Sequence, residues 1–217
     1  MCGIRVHLCS LSALGVVLAG LTVAGCASSP PSKFYQLSPE PSRTAITRDA
    51  PLEKAEMIAV GPVRIPDYLD RPQIVTRAGK NELILSEFDR WAGSLEIDVS
   101  RVLVEDISRL LPAERFSAVA WTPYLEGQGT ASYRVEVLVE QFDGTLGDSV
   151  LLKAQWTVIA KDRSTLLRRE SLIREAMNGS GYDAVVGTMS GALGKLSSEI
   201  SRGILSVLAP QAQGDLH

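Results

Sequence analysis

The stretch from residue 133 to residue 176 most constrains the fold, because it holds three alternating apolar and polar runs joined by short turns. The runs cover residues 133–142, 150–159 and 166–176. A period of two residues is typical of strands with one buried and one solvated face. Sequential strands with short turns predict an antiparallel meander.

Two long amphipathic segments accompany these strands. Residues 89–111 and 182–208 both repeat apolar side chains at intervals of three and four, which is typical of helices with one buried face. Glycines in the second segment lower its helix propensity, although small residues would also let a helix lie close to a sheet. The sequence therefore predicts an α+β fold, in which an antiparallel (mixed) β-sheet carries two amphipathic helices packed on one face, a two-layer sandwich.

Shorter apolar runs predict additional strands at residues 34–37, 57–65, 73–76, 82–86 and 117–121. Gly61-Pro62 interrupts the second of these, and a proline that cannot donate to a strand ladder favours an edge position or a bulge. Residues 38–56 are predicted to form a long loop. Turns are predicted at residues 127–129 and from Asp143-Gly144 onward.

The N-terminus carries a short apolar run that ends at a cysteine, Cys26. This run is shorter than the roughly 20 residues that a membrane-spanning helix needs, which disfavours the alternative of an uncleaved anchor. It resembles a bacterial lipobox, with signal peptidase recognition by Leu21, Val23, Ala24 and Gly25. The sequence predicts a signal peptide at 1–25, a lipid on Cys26, and a polar linker at 26–33. In either case the domain that follows is tethered to a membrane.

The composition argues against several function classes. The formal net charge is -3, so the chain has no electrostatic reason to bind nucleic acid. Its histidines are His7, in the leader, and His217, the last residue, so the domain between them lacks the commonest general base and zinc ligand. Its cysteines all lie at or before position 26. We expect no metal and no cofactor other than the covalent lipid on Cys26.

One loop groups charged side chains, namely Asp67, Asp70 and Arg71. Two carboxylates beside a cation are the residue types that acid-base chemistry uses. The alternative is that Asp70 and Arg71 brace a turn, and the absence of an accompanying histidine, serine elbow or metal-ligand spacing favours it. We therefore predict no catalytic residues, no metal site and no enzymatic activity.

Several motifs carry a resemblance to a known family. They are Phe34-Tyr35-Gln36-Leu37, Val60-Gly61-Pro62-Val63, the block Tyr68-Leu69-Asp70-Arg71-Pro72-Gln73, and the predicted helix from Trp91 to Leu111. Together they resemble the auxiliary lipoproteins of ABC-type and MCE-type envelope transport systems, over residues 34–205. The family has an acidic residue and a proline at the start of this helix, where this chain has Gly93-Ser94.

The resemblance implies a non-enzymatic, periplasm-facing lipoprotein, an accessory subunit of an MCE/ABC-type intermembrane lipid-transport system that supports envelope integrity. The length and residue pattern predict a single α+β domain at 34–208, followed by a disordered tail at 209–217. Its partners would be an MCE-domain protein and an inner-membrane transport component, and the chain would form a homo-oligomeric ring. The residues predicted to contact a partner are Tyr68, Leu69, Asp70 and Arg71.

Position 27 bears on the location of the lipoprotein. Aspartate after the lipidated cysteine retains lipoproteins of Gram-negative bacteria in the inner membrane, and this chain has Ala27. We therefore expect the protein to be anchored in the periplasmic leaflet of the outer membrane.

The alternative function is a regulatory lipoprotein that activates a cell-wall synthase. Such proteins use long linkers, whereas residues 27–33 span only about 25 Å when fully extended.

Overall fold

The structure, a computed structural model, describes residues 29–40 and 55–208. The described residues from Ser32 onward belong to one compact unit. The signal peptide 1–25, Cys26 and the tail 209–217 lie outside the described residues, so the lipidation, its recognition residues Leu21, Val23, Ala24 and Gly25, and the disordered tail stay predictions.

The helices and strands of the described chain follow in the order β1 (Lys33–Tyr35), β2 (Glu56–Arg64), β3 (Gln73–Arg77), β4 (Leu83–Trp91), α1 (Leu95–Leu110), β5 (Phe116–Ala120), α2 (Pro123–Gln128), β6 (Tyr133–Thr145), β7 (Ser149–Ala160), β8 (Thr165–Ala176) and α3 (Tyr182–Leu208).

The larger sheet of the described chain has the strand order β5-β2-β6-β7-β8. Its β6-β7-β8 part is the predicted antiparallel meander, and alternate residues such as Val137 and Trp156 are buried as the pattern requires. β2 runs parallel to both of its neighbours, with a register shift between Val60 and Val63. The bulge predicted from Gly61-Pro62 is thus confirmed, whereas the edge position is wrong, because β2 lies inside the sheet.

A smaller sheet in the described chain has the order β1-β4-β3. β3 and β4, both predicted as strands, form an antiparallel hairpin, but β4 continues to Trp91 and α1 begins only at Leu95. The helix predicted from residue 89 is therefore wrong over its first turns. Residues 89–91 pair with β1, and the Ser94 side chain accepts the Ile97 N–H at 3.4 Å and caps the helix. Tertiary pairing outweighs local helix propensity here.

The two long helices lie on one face of the larger sheet and against each other. α1 contacts β2 and β5, whereas α3 contacts β7 and β8. The predicted two-layer α+β architecture is confirmed, including an α3 that runs unbroken over its 27 residues.

The short helix α2 includes residues 127 and 128, where a turn was predicted at 127–129. Thr122 caps its start and Gly129, with φ of 60°, ends it.

Candidate functional site

The loop at 66–72, between β2 and β3, is built from consecutive tight turns. The Leu69 N–H donates to the Pro66 carbonyl at 2.9 Å, and the Asp70 N–H donates to the Asp67 carbonyl at 3.2 Å. The Arg71 N–H in turn donates to the Leu69 carbonyl at 2.8 Å. The backbone, rather than the charged side chains, therefore braces this loop.

The four residues predicted to contact a partner divide into two groups. Leu69 is 2% exposed within the core, and Tyr68 is partly buried against it. Asp70 is exposed and Arg71 is partly exposed. The inward residues attach the loop to the domain, so only the outward part of this block is available to another protein.

A buried carboxylate, Asp143 on β6, fixes the loop to the larger sheet. Its side chain is 1% exposed and accepts the Tyr68 hydroxyl proton at 2.6 Å. Arg77 donates to the same carboxylate through Nε at 2.9 Å and Nη2 at 2.8 Å, and Gln141 donates at 2.9 Å. The turn predicted from Asp143 onward begins only at residue 146, since β6 continues to Thr145 and includes Asp143.

The electrostatics of this group favour a fixed ion pair. Burial would raise the pKa of Asp143, but the hydrogen bonds from Arg77, Tyr68 and Gln141 outweigh burial and hold that pKa below its usual value. Burial, with the bond to Asp143, raises the pKa of the Tyr68 hydroxyl, and the bond to Asp143 raises the pKa of Arg77. At neutral pH the group is a carboxylate, a guanidinium and a neutral phenol, and it serves as a structural link.

The outward acids of the loop differ from Asp143. Asp67 and Asp70 are exposed, and within residues 29–40 and 55–208 neither carboxylate forms a hydrogen bond or ion pair. In the same ranges Arg71 forms no ion pair with them, and its buried Nε has no hydrogen-bond partner. The structure therefore does not assemble Asp67, Asp70 and Arg71 into an acid-base group. It displays two free carboxylates on a rigid loop.

A second arrangement, which the sequence did not reveal, holds the segment 37–40 between α1 and α3. We call it the entry clamp. On α1, Asp98 accepts the Leu37 N–H at 2.6 Å and Arg101 donates to the Leu37 carbonyl at 2.5 Å. From α3, Ser190 Oγ accepts the Ser38 N–H at 3.1 Å. Residues 38–40 form neither helix nor strand, as predicted, and side chains of both helices bond to the Ser38 and Glu40 N–H groups. Residues 41–54 lie outside the described chain.

Glu40 is the last residue of the entry clamp. Its N–H donates to Asp106 at 3.1 Å, and Arg109 donates to its carbonyl at 2.8 Å. A Cβ at Gly194 of α3 would lie 2.2 Å from Glu40 Cγ, so the glycine leaves room for the segment. The clamp uses side chains more than sixty residues away from the segment, and no local pattern marks them.

Asp106 of the clamp gives a pH-dependent prediction. Its carboxyl is 3% exposed, and burial raises its pKa from 3.8 to about 6 despite the Glu40 N–H and Arg109. Between those pH values the folded state binds a proton that the unfolded state has lost, so stability falls as the pH rises from about 4 to about 6. We expect Asp106→Asn to match the wild type near pH 4 and to exceed it by about 2 kcal/mol at pH 8. Urea unfolding at both pH values measures this difference. A variant less stable than the wild type at pH 8 would show that the bonds to the carboxylate outweigh its burial.

In the described ranges, no group of three or more His, Cys, Asp or Glu side chains could hold a metal ion. No helix in the same ranges has both the length and the apolar character to cross a membrane.

Comparison with known proteins gives consistent matches. Residues 35–201 match the family described as the ABC-type transport auxiliary lipoprotein component. The chain is 25% identical over 190 residues to the intermembrane transport lipoprotein PqiC of Escherichia coli (strain K12), a match that covers 87% of this chain and 95% of that protein. PqiC of Shigella flexneri matches equally. The crystal structure of protein XCC0632 from Xanthomonas campestris shares the fold, with a TM-score of 0.63 and 15% identity over 84% of this chain and 99% of that one.

Proposed function

Because the chain belongs to the family of ABC-type transport auxiliary lipoprotein components, we propose that it is a non-enzymatic accessory subunit of an intermembrane lipid-transport system. Its partners in this proposal are an MCE-domain protein and an inner-membrane transport component. The intermembrane role is supported by the match to PqiC, whose name describes an intermembrane transport lipoprotein. The structural observation that carries the proposal is the loop at 66–72.

The loop has the properties of a preorganised docking surface. Leu69 and the Tyr68–Asp143 bond hold its inner side, while Asp67 and Asp70 face solvent without intramolecular partners in the described chain. A rigid segment loses little conformational freedom on binding, and unpaired charges add specificity and association rate. We therefore propose that this loop docks on a basic surface of the MCE-domain protein.

Co-purification tests the docking proposal. The double variant Asp67→Asn/Asp70→Asn is expected to recover several-fold less MCE-domain protein than the wild type from envelopes solubilised in a mild detergent, because two interfacial charges are lost. Its melting temperature is expected to be unchanged, since neither carboxylate has a partner in the described chain.

The control for this experiment is Glu114→Gln, which removes one exposed acid outside the loop. Recovery of partner by the double variant equal to that of the wild type and of Glu114→Gln would contradict docking through the loop. Recovery of a cell-wall synthase in place of an MCE-domain protein would favour the alternative function.

We further propose that a lipid on Cys26 holds the chain at the periplasmic leaflet of the outer membrane, and Ala27 supports this location. From Cys26 to Lys33, the first residue of β1, a fully extended chain spans about 25 Å. Since β1 pairs with β4, the domain cannot move farther than this from the lipid. The tether would thereby keep the domain near the membrane surface.

Cell fractionation tests the anchor. A chain that begins at Ala27, exported behind a cleavable signal peptide without a lipobox, lacks Cys26 and is expected to move from the membrane fraction to the soluble fraction, with its circular dichroism and melting temperature unchanged. Ala27→Asp in the full sequence is expected to keep the lipid but to move the protein to the inner membrane. A chain without Cys26 and without the leader that stays with the membranes would contradict the proposed anchor.

We also propose that the subunit assembles into a homo-oligomeric ring. The strands at the two ends of the larger sheet, β5 and β8, pair with no further strand in the described chain, and open edges of this kind can pair with another copy. The mass of the detergent-solubilised protein tests this proposal, and a monomeric mass at micromolar concentration would contradict it.

A further inference from the structure

Two large apolar side chains are exposed where the chain enters the compact unit. Phe34 on β1 is 65% exposed, and Ile97 in the first turn of α1 is 70% exposed. The Gln36 side chain, two residues after Phe34, donates to Asp98, the neighbour of Ile97, at 3.3 Å. This bond places the two segments side by side on the surface, and we call Phe34 and Ile97 the Phe34 patch.

The fold holds both side chains of the Phe34 patch outward. Successive residues of a strand point to opposite faces, and the Tyr35 hydroxyl donates to Asp89 of β4 at 2.9 Å. Tyr35 therefore faces β4, and Phe34 faces away. On α1, Leu95 and Val99 are buried, so Ile97 between them points to the other side of the helix. Neither apolar side chain can turn into the core.

The charged side chains around the Phe34 patch have both signs. Lys33 precedes Phe34, and Arg90 of β4 lies opposite Phe34 in register. Glu96, which is exposed, precedes Ile97. Within the described ranges, Lys33, Arg90 and Glu96 form no ion pair. A mixed border of this kind complements a zwitterionic lipid headgroup, which presents a phosphate and an ammonium group, better than a surface of one sign.

The position of the Phe34 patch relative to the tether indicates what covers it. Single exposed apolar side chains are common on proteins and need no partner. Phe34 differs from the others because it follows Lys33, which an extended tether holds within about 25 Å of the lipid on Cys26. The bilayer is thus present at a high effective concentration, whereas a second copy or another protein must first diffuse to this surface.

We propose that the Phe34 patch lies on the bilayer that holds the anchor, with Phe34 and Ile97 at the boundary between headgroups and acyl chains. Apolar side chains on a charged border bind membrane interfaces in this way, and a second contact beside one lipid fixes the orientation of the domain. β4 separates β1 from β3 and from the loop at 66–72, which precedes β3, so the patch is distinct from that loop. The choice of a bilayer rests on the proposed tether.

Quenching by nitroxide lipids tests this contact without depending on lipidation. The chain from Ala27 has no cysteine, and its described residues from Ser32 onward form one compact unit. Phe34→Cys, Ile97→Cys and Leu172→Cys therefore each give a single thiol for an NBD fluorophore. A histidine tag before Ala27, bound to a nickel-chelating lipid in phosphatidylethanolamine and phosphatidylcholine vesicles, replaces the anchor. We expect lipids with a nitroxide near the headgroup to quench positions 34 and 97 several-fold more than position 172.

Position 172 is the matched control, because Leu172 is 67% exposed but lies on the other side of the domain. Its neighbour Ser171 donates to Glu199 of α3, so Leu172 faces away from the helices. Equal quenching at all three positions, or none at 34 and 97, would overturn the proposal. Shielding of the label at 34 from aqueous iodide without quenching by lipid would identify a second copy as the occupant and would also overturn it.

A substitution tests the role of Phe34 itself. Phe34→Ser in the chain labelled at position 97 is expected to reduce quenching by lipid several-fold, because the patch loses its aromatic side chain. Leu172→Ser in the same chain is expected to change nothing, and both variants should keep their melting temperature since both side chains are mostly exposed. Unchanged quenching in Phe34→Ser would overturn the proposal. Because the tag replaces Cys26, failure here is distinct from failure of the lipid anchor, which cell fractionation reports.

Discussion

Replacing Asp143 with asparagine is expected to lower the free energy of unfolding by about 3 kcal/mol at pH 7, the largest effect that we predict for a single substitution. Asparagine retains one carbonyl oxygen but places an amide donor where the carboxylate accepts from Tyr68 and Arg77. The Arg77 guanidinium, whose side chain is 25% exposed, then loses its ion pair. Breaking a buried pair in this way is costly because the remaining charge is uncompensated.

The effect of Asp143→Asn should depend on pH in a defined direction. The folded state lowers the pKa of Asp143, so its contribution to stability is present above the unfolded pKa of about 4 and is lost as the pH falls through the folded value. We therefore expect the difference between wild type and variant to be full at pH 7 and smaller at pH 3. Urea unfolding measures both, with Asp148→Asn, an exposed acid of the same hairpin, as the control. A loss below about 1 kcal/mol at pH 7 would show that Asp143 does not fix the loop at 66–72.

Replacing Gly203 with alanine is expected to destabilise the protein by about 2 kcal/mol, although alanine favours helices by about 1 kcal/mol over glycine. A Cβ at position 203 of α3 would lie 2.4 Å from Trp156 Cη2 and 2.9 Å from Leu167 Cδ2. Trp156 is 3% exposed, and its indole N–H is bonded to Ser171, so the ring cannot move away easily. The clash therefore outweighs the gain in propensity.

Gly187→Ala is the matched control, because it makes the same change in the same helix where no atom lies within 4 Å of the added Cβ. It is expected to stabilise the protein by about 1 kcal/mol. Thermal and urea unfolding of both variants should thus give opposite signs. Stabilisation by Gly203→Ala would show that the sheet can shift to accept a methyl group, and that the close contact between α3 and β7 is not required.

The sequence predicted a helix or strand correctly where the repeat of apolar residues lies within that element itself. The meander and α3 were predicted because their periods of two and about 3.6 residues lie within the segments themselves. The glycines of α3 were predicted to allow close packing against a sheet. Gly203 lies close to Trp156 and Leu167, as predicted, whereas Gly187 has no neighbouring element within 4 Å. The start of α1 was misplaced because residues 89–91 pair with β1, more than fifty residues away.

The sites were less predictable for the same physical reason. Asp143 stands in an Asp-Gly dipeptide that is typical of turns, and its burial depends on Tyr68 and Arg77, which reach it from a distant loop and strand. The block 68–71 was predicted to act as a unit, but its sequence does not say that Leu69 faces the core and Asp70 faces solvent. The entry clamp depends wholly on tertiary contacts.

Crosslinking in cells tests the central claim, docking through the loop at 66–72, most directly. Photoreactive benzoylphenylalanine would replace Asp70, with Asp67 kept, and in a second strain it would replace Glu114. We expect a covalent adduct with the MCE-domain protein from position 70 and none from position 114. An adduct from position 114 alone, equal adducts from both positions, or none from position 70 would contradict the proposal that this loop is the docking surface.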